Sequence, residues 1–106
     1  MIKLKTKKEF DKFINENNVC CVKFGAEWCG PCKVLESILD ELEQSGIDYQ
    51  IGECDIDDEE IFNIGDSYGI KNIPFICIFK NGELADISVG VISGEELNNK
   101  IKSVTK

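Results

Sequence analysis

Two cysteines with the spacing of a reversible disulfide lie in the segment Trp28-Cys29-Gly30-Pro31-Cys32. On one turn of an α-helix, the Cα atoms of Cys29 and Cys32 would be about 5 Å apart. A disulfide forms without strain when this separation is roughly 4.4–6.8 Å. The pair is therefore able to open and close with little backbone movement, which predicts a redox site.

The two cysteines are predicted to have different roles because they occupy different positions on a helix. Gly30 permits a tight turn. Pro31 is favoured in a first helical turn, so the helix is expected to begin near Cys29. Free N–H groups and the helix dipole at that end favour the thiolate of Cys29. Cys32 lies one turn deeper, so we expect Cys29 to be the attacking nucleophile and Cys32 the resolving thiol.

A zinc site is the alternative chemistry for closely spaced cysteines. A structural zinc ion takes four protein ligands. The chain has no histidine and no second Cys-x-x-Cys pair to complete such a set. We therefore expect no bound metal.

Four further cysteines lie in runs that have the composition of β-strands. In a reducing compartment such cysteines usually pack as small hydrophobic residues. Oxidative regulation through one of them is the alternative. These residues are Cys20, Cys21, Cys54 and Cys77.

Length and composition limit the classes of function. The chain has 106 residues, which predicts a single domain over residues 1–106. Its 12 basic and 20 acidic residues give a formal net charge of −8, which disfavours nucleic acid and anionic membranes as partners. No signal-peptide core and no membrane-spanning apolar run is found. We expect a soluble cytoplasmic protein; an exported form that has lost its leader is the alternative.

Hydrophobic periodicity and turn signals predict the elements that position the redox site. Their order is strand, helix, strand, helix, strand, helix, strand, strand, helix. The strands are predicted over residues 2–5, 19–25, 49–56, 75–79 and 84–89. The early βαβ order implies parallel pairing, and the Asn81-Gly82 turn adds an antiparallel edge. The expected fold class is α/β, with a central mixed five-stranded sheet and helices on both faces.

Capping patterns mark the starts of the helices outside the redox motif. Thr6-x-x-Glu9 and Ser93-x-x-Glu96 have the form of capping boxes. The acidic run 57–60 is interpreted as another helix start, with Asp57 as the cap and the acids facing the positive end of the dipole. A cation or partner site is the alternative for that run.

Four segments, in their order along the chain, resemble segments of the thioredoxin family. They are Ala26-Glu27-Trp28-Cys29-Gly30-Pro31-Cys32-Lys33, Ile73-Pro74 ahead of a strand, Phe79-Lys80-Asn81-Gly82-Glu83, and Val89-Gly90 before the last helix. The resemblance covers nearly the whole chain, and its first segment is the most specific. It implies the thioredoxin fold and the reduction of protein disulfides by dithiol exchange through Cys29 and Cys32.

The resemblance also implies how substrates bind. The bond before Pro74 would be cis, and the backbone of Ile73 would pair with an extended substrate segment. Without the family resemblance, Pro74 could be read as an ordinary proline at the start of a strand. Trp28 could likewise be read as a core residue. The apolar docking surface would comprise Trp28, Gly30, Pro31, Ile73, Pro74, Val89 and Gly90.

The partners implied by the resemblance are protein disulfides and a recharging enzyme. A thioredoxin reductase, which is a flavoprotein, would restore the dithiol. The chain has no Gly-x-Gly-x-x-Gly nucleotide motif, so we expect no bound cofactor apart from the redox-active Cys29–Cys32 disulfide itself. We expect the protein to act as a monomer.

Two positions on one predicted strand depart from the family pattern. Lys23 stands where thioredoxins commonly have a buried aspartate that moves a proton for the resolving cysteine, and Gly25 is bare where relatives often have a larger side chain. Glu53 lies on the neighbouring strand, where many relatives have lysine. We predict a Lys23–Glu53 pair beneath the sulfurs, with Glu53 as proton acceptor for Cys32 and Lys23 tuning the acidity of the thiols. A Lys23 side chain that snorkels to solvent is the alternative.

Two other functions stay open at this point. A disulfide isomerase or oxidant would have the same fold, although Pro31 between the cysteines, rather than histidine, favours a reductase in this family. A binding or assembly module that does not use its thiols is the other alternative. The charge of −8 and the departures at Lys23 and Gly25 are compatible with such a module.

Overall fold

The computed structural model describes all residues from Met1 to Lys106. Nine elements follow one another in the predicted order. They are β1 (Ile2–Lys3), α1 (Lys7–Glu16), β2 (Val19–Gly25), α2 (Gly30–Gln44), β3 (Gln50–Asp55), α3 (Glu59–Ser67), β4 (Phe75–Lys80), β5 (Glu83–Val89) and α4 (Gly94–Thr105). None of the four helices has the length and apolar character needed to cross a bilayer.

All five strands join one mixed sheet, in the spatial order β1-β3-β2-β4-β5. β3 pairs in parallel with β1 and β2, whereas β4 runs antiparallel to β2 and β5. The hairpin between β4 and β5 turns at Asn81 and Gly82, whose φ angles of 53° and 81° are those an Asn-Gly turn supplies. The mixed sheet and its hairpin are confirmed; the sequence pattern leaves the direction of β4 relative to β2 unspecified.

Helices cover both faces of the sheet, as predicted, and each face has its own apolar core. Helices α1 and α3 bury Phe10, Phe13, Ile14, Ile61 and Ile64 against one face. Helices α2 and α4 bury Leu35, Leu39, Leu42, Leu97 and Ile101 against the other. These two clusters pack the helices against the sheet. The redox motif lies between the C-terminal end of the central strand β2 and the start of α2.

The alternation of side chains along β2 determines which of its residues face α2, the helix that carries the redox motif. Val22 and Phe24 point into the core beneath α1 and α3, whereas Cys21 points into the core beneath α2 and α4. Because successive strand residues face opposite sides, Lys23 and Gly25 share the side of Cys21. The two positions that depart from the family pattern therefore face α2, the helix that begins at the redox motif.

One predicted cap is confirmed in full and another is wrong. The side chain of Thr6 accepts the Glu9 N–H at 3.1 Å while the Glu9 carboxylate accepts the Thr6 N–H at 3.1 Å, which closes the capping box of α1. The cap of α3 is Asp58 and not Asp57, and it makes no side-chain capping bond. The Asp57 carboxylate instead accepts a hydrogen bond from the Trp28 indole.

Candidate active site

The two cysteines of the motif form a disulfide at the N-terminus of α2. Cys29 is the N-cap residue, with an extended backbone, and Pro31 lies in the first turn as predicted. The Cα atoms of Cys29 and Cys32 are 5.3 Å apart, close to the helical spacing expected from the sequence. Local sequence alone therefore explains how the chain brings the two sulfurs into bonding distance.

The helix end gives the two sulfurs different surroundings. The Cys32 N–H donates a hydrogen bond to the Sγ of Cys29 at 3.2 Å. Cys29 is 6% exposed and Cys32 is 2% exposed, so Cys29 is the more accessible of two largely covered residues. An N–H donor and the positive end of the helix dipole both favour a thiolate at Cys29 when the disulfide opens.

Strand pairing gathers the predicted docking residues at the edge of the sheet where the motif lies. Phe24 pairs with Phe75, so the start of β4, directly after Pro74, lies beside the end of β2. The Ile73–Pro74 bond is cis, as the family resemblance implies. The Gly90 N–H donates to the carbonyl of Pro74 at 2.9 Å, which ties the end of β5 to the same edge.

Most of the predicted docking residues are open to solvent at this edge. Trp28 is 69% exposed, which excludes the interpretation of its ring as a core residue. Val89 is 58% exposed, and both Gly30 and Pro31 are exposed. Pro74 is fully buried. Pro74 itself therefore provides no exposed surface, whereas the adjacent Ile73 is half-buried.

A hydrogen bond that the sequence did not predict holds the ring of Trp28. The indole Nε1 donates to a carboxylate oxygen of Asp57 at 3.0 Å. The backbone N–H of Asp57 in turn donates to the Asp55 side chain at 2.8 Å. The carboxylate that sequence reasoning assigned to the α3 cap thus fixes the largest apolar side chain of the docking surface. No local signal identifies this contact, because 29 residues separate its partners.

Lys23 and Glu53 are neighbours on adjacent strands. They pair in the parallel register of β2 and β3, with the Nζ of Lys23 4.0 Å from a carboxylate oxygen of Glu53. The side chains are 5% and 24% exposed, so the stem of Lys23 is buried, while its Nζ reaches a polar cavity. A polar cavity of about 280 Å³ reaches both residues and Gly25. The structure brings these residues together, while their roles in proton transfer and in tuning the thiols stay predictions.

The other four cysteines are buried free thiols, as predicted. Burial raises the pKa of Cys20 to about 11 and that of Cys77 to about 12. Burial also raises the pKa values of Cys21 and Cys54 above their usual range. A thiol with so high a pKa is protonated at neutral pH and is a poor nucleophile. Burial therefore disfavours thiolates at these four positions at neutral pH.

Comparison with known protein families agrees with this geometry. The family model described as thioredoxin matches residues 1–103. This chain belongs to the thioredoxin family. Thioredoxins are thiol–disulfide oxidoreductases, so the Cys29–Cys32 pair is the dithiol centre of a disulfide reductase.

Individual relatives support the same assignment over nearly the full length. A thioredoxin of Mycoplasmoides gallisepticum is 35% identical over 96 residues, which cover 91% of this chain and 94% of that protein. A thioredoxin of Rickettsia felis is 39% identical over 87 residues, covering 81% and 82% of the two chains. The predicted family is confirmed by these sequences.

Solved thioredoxin structures share the fold. A mutant thioredoxin from Halobacterium salinarum matches with a TM-score of 0.89 and 28% identity, covering 99% of this chain and 90% of that one. Oxidised mitochondrial thioredoxin 3 from Saccharomyces cerevisiae matches with a TM-score of 0.84 and 30% identity, covering 97% and 94%. The predicted thioredoxin fold is therefore confirmed.

Proposed function

We propose that this thioredoxin carries electrons to disulfides of other proteins through Cys29 and Cys32. The observation that supports this most directly is the disulfide at the helix end, with Cα atoms 5.3 Å apart. The dithiol that results from its reduction has one sulfur at the tip of α2 and the other one turn inside. That arrangement suits a nucleophile and a resolving thiol.

The reaction takes place in two exchange steps. The Cys29 thiolate attacks one sulfur of the substrate disulfide, and the other substrate sulfur leaves as a thiolate that takes a proton from solvent. The Cys32 thiolate then attacks the Sγ of Cys29, which breaks the mixed disulfide and releases the second substrate thiolate. Two electrons pass to the substrate, and the protein is left with the Cys29–Cys32 disulfide.

Glu53 is proposed as the acceptor of the proton that Cys32 loses before the second step. Its carboxylate lies beside Lys23 on the strand next to β2, and it lines the same polar cavity. It is only 24% exposed, yet open enough to pass a proton to solvent. Asp55 also lies on this side of the sheet, in register with Gly25, and lines the same cavity. Glu53, however, is the carboxylate that lies within 4.0 Å of the Nζ of Lys23.

Substrates are proposed to dock on the apolar edge around the disulfide. Trp28 and Val89 offer exposed apolar surface, and the Trp28 ring is fixed by its hydrogen bond to Asp57. The backbone at Ile73 is available for pairing with an extended substrate segment. A surface of this kind selects exposed disulfide segments with little demand on their sequence. The proposed docking residues with exposed or half-buried surface are Trp28, Gly30, Pro31, Ile73, Val89 and Gly90. The buried Pro74 is proposed to hold Ile73 in place.

A flavoprotein thioredoxin reductase is proposed to restore the dithiol after each turnover. We further propose that the 106 residues act as one domain and as a monomer in the cytoplasm, without a bound metal or organic cofactor. The acidic charge of −8 supports protein partners over nucleic acid or anionic membranes.

Insulin reduction tests this function. The protein kept reduced by a small dithiol is expected to cleave insulin disulfides and precipitate the B chain. The Cys29→Ser variant is expected to lose this activity. The Cys32→Ser variant is expected to accumulate a mixed disulfide that is visible on a non-reducing gel.

A control variant separates loss of the redox pair from loss of any cysteine. Cys20→Ala removes a buried thiol and is expected to keep the activity. Insulin reduction that survives Cys29→Ser would contradict the proposal. Absence of activity in every form, including the parent, would favour the binding module. A reduction potential far above that of the glutathione couple would favour the oxidant or isomerase.

A further inference from the structure

A lysine with a buried stem, Lys23, lies close to the resolving cysteine. Lys23 is 4% exposed, and its one ion pair is with Glu53. The separation of 4.0 Å between Nζ and the carboxylate oxygen exceeds that of a hydrogen bond. The Nζ makes no hydrogen bond to a protein atom, and it reaches the polar cavity rather than being enclosed in the core. The ammonium group is therefore free to interact with a second anion near its end of the cavity.

Gly25 leaves the space between Lys23 and Cys32 open. Both Lys23 and Gly25 lie on the side of β2 that faces α2. A Cβ atom at Gly25 would lie 3.2 Å from the Sγ of Cys32 and 3.6 Å from the Cε of Lys23. The end of the lysine side chain and the sulfur therefore both border the space that a side chain at Gly25 would fill.

Lys23 and Gly25, which border this gap, also line a polar cavity of about 280 Å³. A cavity of this size admits water, which solvates the ammonium group and gives a proton an exit. The remaining charged groups around it are not buried, so solvent screens them more than it screens Lys23. From the strands and loops these are Lys3, Lys5, Glu27, Asp55 and Asp58. From α2 they are Lys33 and Glu36.

The geometry points to Lys23 as a positioning residue for the second exchange step, in which its ammonium group stabilises the thiolate of Cys32 across the gap at Gly25. The proposal rests on the proposed reductase function and deepens it. A larger fraction of Cys32 is then ionised in the mixed disulfide and ready to attack the Sγ of Cys29. The proton leaves through the cavity, and no electron passes to or from Lys23.

Titration of the single active-site thiol in a Cys29→Ser background tests the proposal. The ultraviolet absorbance of the thiolate is followed against pH. The other four thiols do not interfere, because burial raises the pKa of Cys20 to about 11 and those of the other three further.

Removal of the charge is expected to make Cys32 less acidic. Lys23→Met keeps the volume and is expected to raise the titration midpoint by about 1–2 pH units, or ten- to a hundredfold in the dissociation constant. Lys23→Arg keeps the charge and is expected to restore most of the parent midpoint. A purely structural role would not distinguish Met from Arg in this way.

Two further variants control for surface charge and for the gap itself. Lys33→Met removes the same charge from the residue next to Cys32, but at an exposed position, and is expected to shift the midpoint by less than a quarter as much. Gly25→Ala keeps every charge and fills the gap, so it is expected to raise the midpoint. It also serves as the test if Lys23→Met does not fold.

An unchanged midpoint in Lys23→Met, or an equal shift in Lys33→Met, would overturn the proposal. The insulin assay on the parent protein is independent of this result. If the parent protein reduces insulin but the Cys32 midpoint is the same in Lys23→Met, only the role of Lys23 is contradicted. A parent without activity would contradict the reductase function, whatever the titration shows.

Discussion

At the scale of single residues, Lys23 and Glu53 are proposed to affect different quantities: the ionisation equilibrium of Cys32 and the rate at which its proton leaves. Lys23 is proposed to set how much Cys32 thiolate exists at equilibrium, because the end of its side chain and the Cys32 sulfur border the same space at Gly25. Glu53 is proposed to set how fast the proton leaves, because its carboxylate lies on the cavity. An equilibrium titration and a rate measurement therefore separate the two roles.

Replacing Glu53 is predicted to slow the resolution of the mixed disulfide. Glu53→Gln keeps the size of the side chain and removes the proton acceptor, so we expect the resolution rate at neutral pH to fall by about tenfold or more. The measurement is the release of a labelled substrate thiol from a preformed mixed disulfide, followed as a function of pH.

The equilibrium titration of Cys32 in the same variant completes this test. Loss of the carboxylate leaves Lys23 without its ion-pair partner, so the Cys32 midpoint is expected to stay or to fall. A slower reaction at an unchanged or lower midpoint identifies Glu53 as the proton acceptor. Glu36→Gln, on the rim of the same cavity, is the matched control. An unchanged rate profile in Glu53→Gln would remove Glu53 from the mechanism.

At the scale of elements, local sequence patterns predict where the helices begin, but they do not always identify the capping residue. The capping box at Thr6 closes because Thr6 and Glu9 are three residues apart and need no other partner. Asp57 has the right residue type for a cap, but the helix begins one residue later, at Asp58, and the Asp57 carboxylate accepts a hydrogen bond from the Trp28 indole. Local patterns thus predict self-contained contacts and miss those that tertiary structure creates.

The cap of α1 is predicted to contribute measurably to stability. Thr6→Ala removes the acceptor for the Glu9 N–H, and we expect the free energy of unfolding to fall by about 1 kcal/mol. Thr6→Ser keeps the acceptor and is expected to stay close to the parent. The check is the midpoint of urea unfolding for the three proteins; equal midpoints would contradict the prediction.

The same cap is predicted to be sensitive to acid. Hydrogen bonds from the backbone N–H groups of Lys5 and Thr6 hold the pKa of Glu9 below its ordinary value of 4.5. A lowered pKa in the folded state contributes stability above pH 4.5 that is lost as pH falls through the folded-state value. The stability difference between parent and Glu9→Gln is therefore expected to shrink below this pH, as measured by urea unfolding. A difference that grows in acid would contradict the sign.

A glycine in β3 permits the close packing of β1 and α1 on the sheet. A Cβ at Gly52 would lie 2.8 Å from the Leu4 side chain and 3.0 Å from the Phe13 ring. Gly52→Ala is therefore expected to destabilise the protein by about 1–3 kcal/mol in urea unfolding. Gly65→Ala is the control, since its Cβ would meet atoms only at 3.9 Å and helix propensity favours alanine. Destabilisation by both or by neither would contradict this account.

Particular residues show how far the sequence predicts the site. Cys29, Pro31 and Cys32 form their contacts within one helical turn, so their spacing was sufficient. The Lys23–Glu53 pairing followed from the family resemblance and from neighbouring strands, and the parallel register places the two side by side. The size of the gap at Gly25 was not predictable, because it depends on how deeply α2 packs against β2.

At the scale of the whole molecule, the redox state is coupled to folding. The Cα atoms of the redox pair are already within bonding distance in the fold. The folded protein therefore favours the disulfide more than the unfolded chain does. By linkage, closing the disulfide stabilises the fold by the same free energy.

The oxidised protein is accordingly predicted to be more stable than the reduced one. For so short a loop, we expect the difference in the free energy of unfolding to be about 2 kcal/mol. Urea unfolding with and without an excess of a small dithiol measures it, and the Cys29→Ser and Cys32→Ser double variant serves as a permanently open control. A reduced form that is equally or more stable would contradict the coupling.

The four buried thiols can report local opening of the folded protein. Cys20, Cys54 and Cys77 lie in the core beneath α1 and α3, and Cys21 lies in the core beneath α2 and α4. A thiol-specific label attaches to each only while the layer above it lifts away. The labelling rate of each cysteine would therefore measure how often the core on its face of the sheet opens. The two cores can be compared in this way without introducing any further cysteine.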